Sequence, residues 1–272
     1  MKTKTILITG AFGFVGNNIS QYLRNKSSYK LIALDIKSPD VHSYDVFYNW
    51  EQLNNIEWNS IDTIIHLAGK AHDTKEGNEA EYNKINVGLT ENIFNFFKNN
   101  NIKKFIYFSS VKAVADTVTD DMLTEDVVPN PQTPYGKSKL KAENYILSQK
   151  LDNEKKVYII RPCMIHGPGN KGNLNLLYKL VQKGIPYPLG AFNNSRSFTS
   201  IGNLSYVIEQ IIIKDVESGI YQMADDDAIS TKDLIILIAN SMNKKEKIIP
   251  KGKSQKKVTF LKIKISFLIN SK

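Results

Sequence analysis

Apolar runs of strand length alternate with longer amphipathic stretches along the first part of the chain. The predicted strands cover residues 5–9, 30–35, 62–68, 104–109 and 156–161. A helix is predicted over 82–98, where apolar residues recur every four positions: Ile85, Leu89, Ile93 and Phe97. A second is predicted over 134–150, because Thr133 is a good N-cap and Pro134 suits the first helical position. This alternation is typical of βαβ units and predicts a parallel sheet covered by helices.

The pattern changes beyond residue 162. Gly, Pro and Asn become frequent there, around a further helical stretch. The predicted fold is therefore α/β, with a Rossmann-type doubly wound parallel sheet over 1–162. Residues 163–272 are predicted to form mainly a smaller substrate-binding lobe, from which some strands return to the sheet.

The net charge of +9 lies at one end of the chain. Residues 244–272 hold ten lysines and a single acid, so residues 1–243 balance to zero. A basic stripe on the folded body is therefore not supported, and no nucleic-acid partner is expected. Apolar residues stand at helical spacing among the tail lysines: Val258, Leu261, Ile265 and Leu268. The tail is open to two interpretations, a packing helix of the substrate lobe or a weak contact with a membrane surface.

The number of cysteines, the length of the apolar runs and the spacing of the histidines limit the class of protein. The single cysteine, Cys163, fits a reducing cytoplasm. The apolar run near the N-terminus is short and interrupted by glycines, which argues against a signal peptide, and no stretch reaches the ~18 apolar residues that span a bilayer. The four histidines show no metal-ligand spacing, so no metal is expected. We expect a cytoplasmic globular protein.

Three glycines directly follow the first predicted strand and open a helix. Gly10, Gly13 and Gly16 are spaced G-x-x-G-x-x-G within TGAFGFVG. Glycines at these places allow a tight turn and let backbone N–H groups approach a pyrophosphate at a helix N-terminus. The trio predicts a dinucleotide site, although glycine-rich turns also occur elsewhere.

An acid ends the second predicted strand. Asp35 is placed to accept hydrogen bonds from the adenosine ribose hydroxyls and to repel a 2′-phosphate, which favours NAD over NADP. Lys37 nearby weakens the exclusion of NADP. Asp45 is a further candidate for a contact to the adenine. A solvated acid at a strand end is the alternative interpretation of Asp35.

Tyr135 and Lys139 stand four residues apart at the start of the second predicted helix. Residues at this spacing share a helix face, so a phenol and an ammonium can enter one cleft. The cation and the helix N-terminus both favour the phenolate, which can then act as a base. Ser109 and Ser110 end a strand, where ligands bind in parallel sheets. Each feature alone also fits an ordinary surface helix or a strand-ending turn.

Taken in order, these features resemble one family, the extended short-chain dehydrogenase/reductases of the nucleotide-sugar epimerase/dehydratase group. The segments that carry the resemblance are TGAFGFVG, the LD that ends at Asp35, HLAG at 66–69, SSV at 109–111, PYGKSK, and Arg161 with Pro162. The likeness runs from residue 3 to about residue 240. It implies a nicotinamide-dependent enzyme with NAD as the cofactor.

The resemblance also implies roles for individual residues. Ser110 would hydrogen-bond the reacting sugar oxygen, Tyr135 would move the proton, and Lys139 would also hold the nicotinamide ribose. Other residues would contact the cofactor: Gly10, Gly13, Phe14, Gly16, Asp35, Asp45, Leu67, Ala68 and Gly69. His66 would pack beside it without chemistry.

Bacterial surface-polysaccharide UDP-sugar 4-epimerases and 4-keto-reductases are similar in further segments, namely GPGNKGN, PLG at 188–190 and RSFTSIGNL. By that likeness Asn173 and Arg196 would bind the nucleotide diphosphate. A guanidinium suits phosphate oxygens, whereas Asn173 could equally cap a helix.

Departures from the family narrow the reaction. The 4,6-dehydratases carry an Asp-Glu pair where this chain has Val111 and Lys112, and the 3,5-epimerase/reductases place a cysteine in that same loop. Neither chemistry is expected, and Cys163 is interpreted as a packed residue. The expected function is an NAD-dependent UDP-hexose or UDP-N-acetylhexosamine 4-epimerase working through a 4-keto intermediate. The alternatives are a UDP-4-keto-6-deoxy-sugar 4-reductase and a non-catalytic dinucleotide- or RNA-binding Rossmann protein. Homodimers are common in the family, so a homodimer is expected.

Overall fold

The structure, a computed structural model, describes residues 3–26, 28–70, 78–117, 122–170, 172–187 and 194–248. Its strands are β1 (Lys4–Thr9), β2 (Tyr29–Asp35), β3 (Val46–Asn49), β4 (Thr63–His66), β5 (Lys104–Phe108), β6 (Lys156–Pro162), β7 (Met164–His166), β8 (Phe198–Ser200) and β9 (Gly219–Met223). Its helices are α1 (Phe14–Arg24), α2 (Glu79–Tyr82), α3 (Gly88–Asn99), α4 (Pro134–Ser148), α5 (Asn173–Gln182), α6 (Ile201–Ile213) and α7 (Thr231–Ser241).

Within the described residues, seven strands form one sheet in the order β3-β2-β1-β4-β5-β6-β9. Each neighbouring pair is parallel. Strands β7 and β8 pair separately, also in parallel. The Rossmann-type parallel sheet predicted from the sequence is confirmed.

The core lies on both faces of this sheet. Successive residues of a strand point to opposite faces, and β1 follows this rule. Ile6 and Ile8 pack on the side covered by α1 and α6, whereas Leu7 packs on the side covered by α3 and α4. All three are fully buried. Strands buried on both faces need continuous apolar runs, which is why these strands were recognisable in the sequence.

The helix predicted over 82–98 is not a single α-helix. A π-helical turn at Asn83–Val87 joins α2 to α3. Ile85 and Leu89 of the predicted apolar face are only half-buried. Two polar residues, Asn86 and Thr90, are buried instead.

Part of the chain beyond residue 162 returns to the large sheet. Strand β9 pairs with β6 at its edge, and α6 packs against α1. The boundary of the two lobes at residue 162 stays a prediction. The PLG segment and the apolar positions of the basic tail lie outside the described residues. In the described part of the chain, no helix is long and apolar enough to cross a membrane.

Candidate active site

The carboxyl ends of the parallel strands meet at one edge of the sheet. β1 leads there into Gly10, β4 into Leu67, and β5 into Ser109 and Ser110, while Asp35 ends β2. The chain order reverses between β1 and β4, since β2 flanks β1 on its other side. A crevice at such a reversal is where ligands bind in open α/β sheets. The topology therefore gathers the candidate residues at one place.

The glycine turn is held by close contacts that only glycine permits. Gly10 has φ +64°, and a Cβ there would lie 2.8 Å from the Ala68 nitrogen. A Cβ on Gly16 would lie 2.4 Å from the Ala11 carbonyl oxygen. Gly13 is the N-cap residue of α1, and no side chain among the described residues caps that helix end. The first N–H groups of α1 are therefore available to an anion.

The segment after β4 lies directly against this turn. The Leu67 N–H donates to the Thr9 carbonyl oxygen at 3.2 Å, and the Ala68 N–H donates to Thr9 Oγ1 at 3.1 Å. Phe14, the first residue of α1, approaches a second turn, because a Cβ on Gly169 would lie 3.9 Å from its ring. Leu67, Ala68 and Phe14 thus border the glycine turn, and their contacts with the cofactor stay predictions.

Asp35 lies next to the glycine turn in a fixed orientation. Its Oδ2 accepts the Phe12 N–H at 2.9 Å and its Oδ1 accepts the Ile36 N–H at 2.7 Å. The half-buried carboxylate is thereby held at the end of β2, where an adenosine ribose would lie. Lys37 is exposed two residues further on.

The structure does not bring Asp45 to the sheet edge where Asp35 lies. Its carboxylate accepts the Leu31 N–H at 2.8 Å and pairs with Arg24 at 2.6 Å. Leu31 precedes Asp35 by four residues of β2, roughly 13 Å along the strand. Asp45 therefore fixes the start of β3 to α1, and the residue in register with Asp35 at the edge is Asn49.

Helix α4 begins as predicted and presses on the segment that carries Ser110. Thr133 Oγ1 accepts the Gly136 N–H at 3.2 Å. A Cβ on Gly136 would lie 2.3 Å from the Lys112 carbonyl oxygen, so glycine is needed for this approach. Ser110 caps the short 3₁₀ turn Val111–Ala113 by accepting the Lys112 N–H at 3.2 Å. The first turn of α4, with Tyr135, thus lies on the turn that follows Ser110.

Lys139 is buried between the end of β5 and the segment after β4. Its Nζ donates to the Phe108 carbonyl oxygen at 2.8 Å and lies 4.9 Å from the centre of the Tyr107 ring. A Cβ on Gly69 would lie 3.5 Å from that Nζ. Burial lowers the pKa of Lys139 to about 8, against the opposing effect of Glu143. Lys139 therefore still carries its proton near pH 7.

Tyr135 is half-buried on the first turn of α4. Its ring meets the ring of the buried Tyr82 edge to face, with 6.3 Å between centroids. Tyr135 and Lys139 share one face of α4 because they are four residues apart.

His66 is buried and neutral beneath the site. Its Nδ1 lies 2.7 Å from Thr9 Oγ1 and its Nε2 lies 3.0 Å from Thr90 Oγ1. Burial, and then the positive charge of Lys139, lower its pKa to about 3. The imidazole is therefore neutral near pH 7.

Sequence reasoning missed Asn86. Its Oδ1 accepts the Lys70 N–H at 2.7 Å, and its Nδ2 donates to Ser138 Oγ at 2.9 Å. It thus joins the segment after β4 to α4, one residue before Lys139. The available signal was its spacing, because Asn86 stands seven residues before Ile93 and residues at that spacing share a helix face.

A buried ion pair behind the site was also missed. Arg161 donates through Nη2 to Glu143 Oε2 at 2.5 Å and through Nε to Oε1 at 3.0 Å, and the two side chains are only 3% and 1% exposed. Ser109 Oγ donates to the same carboxylate. The available signal was Glu143, one helical turn after Lys139 on the same face.

The two predicted diphosphate ligands lie in the later part of the chain. Asn173 opens α5, whose N-cap residue is Gly172, and its side chain lies outside the described residues. Arg196 is half-buried and exchanges backbone hydrogen bonds with Ile229. Burial lowers the pKa of Arg196, and Tyr187 opposes this effect. Their diphosphate contacts stay predictions.

Residues 6–239 match the model of the NAD dependent epimerase/dehydratase family. The chain belongs to this family. A UDP-glucose 4-epimerase from Vibrio cholerae is 30% identical over 253 residues, which cover 89% of this chain and 76% of that protein. An N-acetyl-alpha-D-glucosaminyl-diphospho-ditrans,octacis-undecaprenol 4-epimerase from Escherichia coli O157:H7 is 27% identical over 252 residues, which cover 88% of this chain and 73% of that protein.

Solved structures share the fold of this epimerase/dehydratase. A UDP-N-acetylglucosamine 4-epimerase from Bacillus cereus superposes with a TM-score of 0.78 at 22% identity, covering 92% of this chain and 85% of that one. The chain is thus an NAD-dependent enzyme of the extended short-chain dehydrogenase type. The uncapped start of α1, the crowded Gly10 and the oriented Asp35 fit a dinucleotide at this edge.

Proposed function

We propose that this protein is a UDP-sugar 4-epimerase that uses Ser110, Tyr135 and Lys139 at the carboxyl edge of the sheet. The observation that carries the proposal is the packing of α4 on the Ser110 turn beside the buried Lys139 and the dinucleotide crevice. A hydroxyl, a phenol and a cation then stand at the place where a nicotinamide ring would meet a sugar.

Tyr135 is the acid–base residue in this proposal. Lys139 and the N-terminal end of α4 favour its phenolate, which takes the proton from the sugar 4-hydroxyl. NAD, which the glycine turn and Asp35 would hold, would supply the hydride chemistry at C4. Ser110 holds the same oxygen while the 4-keto sugar turns over in the pocket. Tyr135 gives its proton back when C4 is reduced on the other face, so no net redox change occurs.

The substrate and setting follow from the same proposal. The relatives named above act, by their names, on UDP-glucose and on an N-acetylglucosaminyl diphospho-lipid. Arg196 is the proposed ligand of the nucleotide diphosphate, since a guanidinium binds phosphate oxygens through paired hydrogen bonds. We infer a cytoplasmic homodimer, with no nucleic-acid partner.

Interconversion of C4 sugar pairs tests the proposal. Purified protein is incubated with UDP-glucose, UDP-galactose, UDP-GlcNAc or UDP-GalNAc, first without cofactor and then with catalytic NAD, and the sugars are separated chromatographically. We expect one C4 pair to interconvert without stoichiometric NADH production. Failure on all four, together with NAD(P)H consumption on a 6-deoxy-4-keto UDP-sugar, would establish the reductase instead.

Two tyrosines of α4 provide a matched comparison. Tyr135→Phe should lower the rate at least ~10²-fold, the usual scale of acid–base contributions, while NAD binding is retained. Tyr145→Phe is the control, because this hydroxyl faces Asn95 of α3 at an exposed position. A Tyr135→Phe variant with more than half the original rate would remove Tyr135 from the mechanism.

A further inference from the structure

A carboxylate outside the proposed catalytic set connects the two segments that carry it. Asp116 Oδ2 accepts the Gln132 N–H at 2.7 Å and the Thr133 N–H at 3.2 Å. Its Oδ1 accepts from Lys112 Nζ at 3.1 Å. One side chain thus binds the turn after Ser110 and the two residues that precede α4.

These contacts involve both of the segments that carry the reacting groups. Lys112 belongs to the turn that Ser110 caps, and Thr133 is the N-cap residue of α4. Tyr135 follows Thr133 by two residues. The chain between the two segments returns close to its start, since the Asn130 N–H donates to the Val114 carbonyl oxygen at 2.7 Å. Asp116 therefore sits where Ser110 and Tyr135 are brought to their mutual position.

The contact between the two segments has little freedom to adjust. The Gly136 backbone lies so close to the Lys112 carbonyl oxygen that a Cβ would meet it at 2.3 Å. This contact limits how near α4 can come, whereas the carboxylate holds the two segments together. The Gly136–Lys112 contact therefore limits how closely the two segments approach, and Asp116 limits how far they separate.

Asp116 keeps its charge under working conditions. Burial by itself would raise its pKa, but the Gln132 N–H, Lys112 and the Thr133 N–H together lower the pKa below its usual value. An ionised carboxylate accepts all three hydrogen bonds at once. Lys112 is 45% exposed, so solvent screens part of its attraction for the carboxylate.

We propose that Asp116 is a positioning residue that sets the distance between the Ser110 hydroxyl and the Tyr135 phenol. The inference rests on the proposed function, because the positioned groups are those that handle the sugar 4-hydroxyl. Proton transfer needs its partners within hydrogen-bond reach, and a displacement of ~1 Å can cost ~10²-fold in rate.

The test compares Asp116→Asn with Asp116→Glu. Asparagine has the same shape but places an N–H₂ group among donors, whereas glutamate keeps the charge on a longer side chain. We expect Asp116→Asn to lower kcat about tenfold or more. The KM for the sugar nucleotide and the bound NAD should be nearly unchanged. Asp116→Glu should retain more of kcat than the isosteric amide does.

Asp62→Asn is the matched control. The Asp62 carboxylate also accepts a backbone N–H, that of Thr5 at 2.8 Å, but at the opposite end of the sheet. Its kcat should stay within about twofold of the unmodified protein. Hydrogen–deuterium exchange adds a readout that needs no substrate: Asp116→Asn should accelerate exchange in residues 110–114 and 132–136 together, and Asp62→Asn should not.

The outcomes separate the two proposals. Equal kcat values for Asp116→Asn and the unmodified enzyme would overturn the positioning role, as would a parallel loss in Asp62→Asn. If Asp116→Asn does not fold, Asp116→Glu is measured in its place. A lowered kcat at unchanged KM in that variant supports the positioning role. If no sugar pair is converted by the unmodified protein, the proposed function fails. Exchange in the two segments then decides whether Asp116 holds them together.

Discussion

His66 shows how one buried side chain links pH to stability. Its pKa in the folded protein is about 3 because burial penalises the charged form. In the unfolded chain it should titrate near its ordinary value of about 6.5. Between these values the unfolded state binds one more proton, so stability falls as the pH falls from about 6.5 towards 3.

We expect the free energy of unfolding to lose up to about 2 kcal/mol at pH 5 through this residue alone. Urea unfolding at pH 7 and pH 5 measures the loss, with His66→Gln as the comparison. The variant should be less stable at pH 7, yet lose less on acidification. Identical pH dependence in the two proteins would show that His66 is not kept neutral by the fold. The other three histidines, His42, His72 and His166, are common to both proteins and cancel in the comparison.

At the scale of elements, α4 is attached to the end of β6 by the Glu143–Arg161 pair. Both side chains are almost fully buried. Removing one charge of such a pair leaves the other buried and unpaired, which costs about 3–5 kcal/mol. We expect Glu143→Gln to destabilise the protein on that scale. Replacing both members together, as Glu143→Leu with Arg161→Met, should restore most of the stability.

Thermal and urea unfolding of these variants provide the measurement. Glu154→Gln is a suitable control, because Glu154 pairs with Lys103 at an exposed position and its loss should change stability little. A Glu143→Gln variant as stable as the control would mean that the pair does not hold α4 in place.

The junction of α2 and α3 shows where periodicity misleads. A spacing of four predicted one continuous α-helix with Ile85 and Leu89 in the core. The structure has a π-helical turn at Asn83–Val87 and buries Asn86, which bonds to Lys70 and Ser138. Asn86 stands seven residues before Ile93, on a helix face that a count of apolar residues four apart leaves out. Its partners lie in the segment after β4 and in α4, which are distant in the sequence.

At the scale of the whole molecule, the positive charge is uneven along the chain. The excess of nine positive charges lies in residues 244–272, most of which fall outside the described residues. We expect co-sedimentation with anionic vesicles at low salt. Binding should fall steeply as salt rises, because screening acts over ~8–10 Å at physiological ionic strength.

A variant with tail lysines changed to glutamine, at Lys251, Lys253, Lys256, Lys257 and Lys262, should lose most of this binding. Phosphatidylcholine vesicles serve as the neutral control. If the unmodified protein does not sediment with anionic vesicles at low salt, the tail has no role at membranes and the packing-helix interpretation of the tail is favoured.

The sequence by itself determined five strands of the large sheet (β1, β2, β4, β5 and β6), the glycine turn, the acid that ends β2 and the start of α4. Each of these depends on interactions between residues that are near one another in the chain: buried strands need apolar runs, Gly10 needs a positive φ, and Thr133 caps the helix that it precedes. The Tyr135–Lys139 pair was predictable for the same reason, since a helix places i and i+4 on one face.

Only the tertiary structure decided which polar groups share the crevice. Asp45 looked like a nucleotide ligand in the sequence, but its strand pairing places it with Arg24 and Leu31, far from Asp35. Asn86 and Glu143 acquired their roles from partners that the fold of the parallel sheet brings close, and Asp116 acquired its role where the chain returns at Gln132 and Thr133. A buried polar group needs a hydrogen-bond partner, and in a folded chain that partner often comes from a residue distant in the sequence. The residues next to the group therefore do not identify the partner.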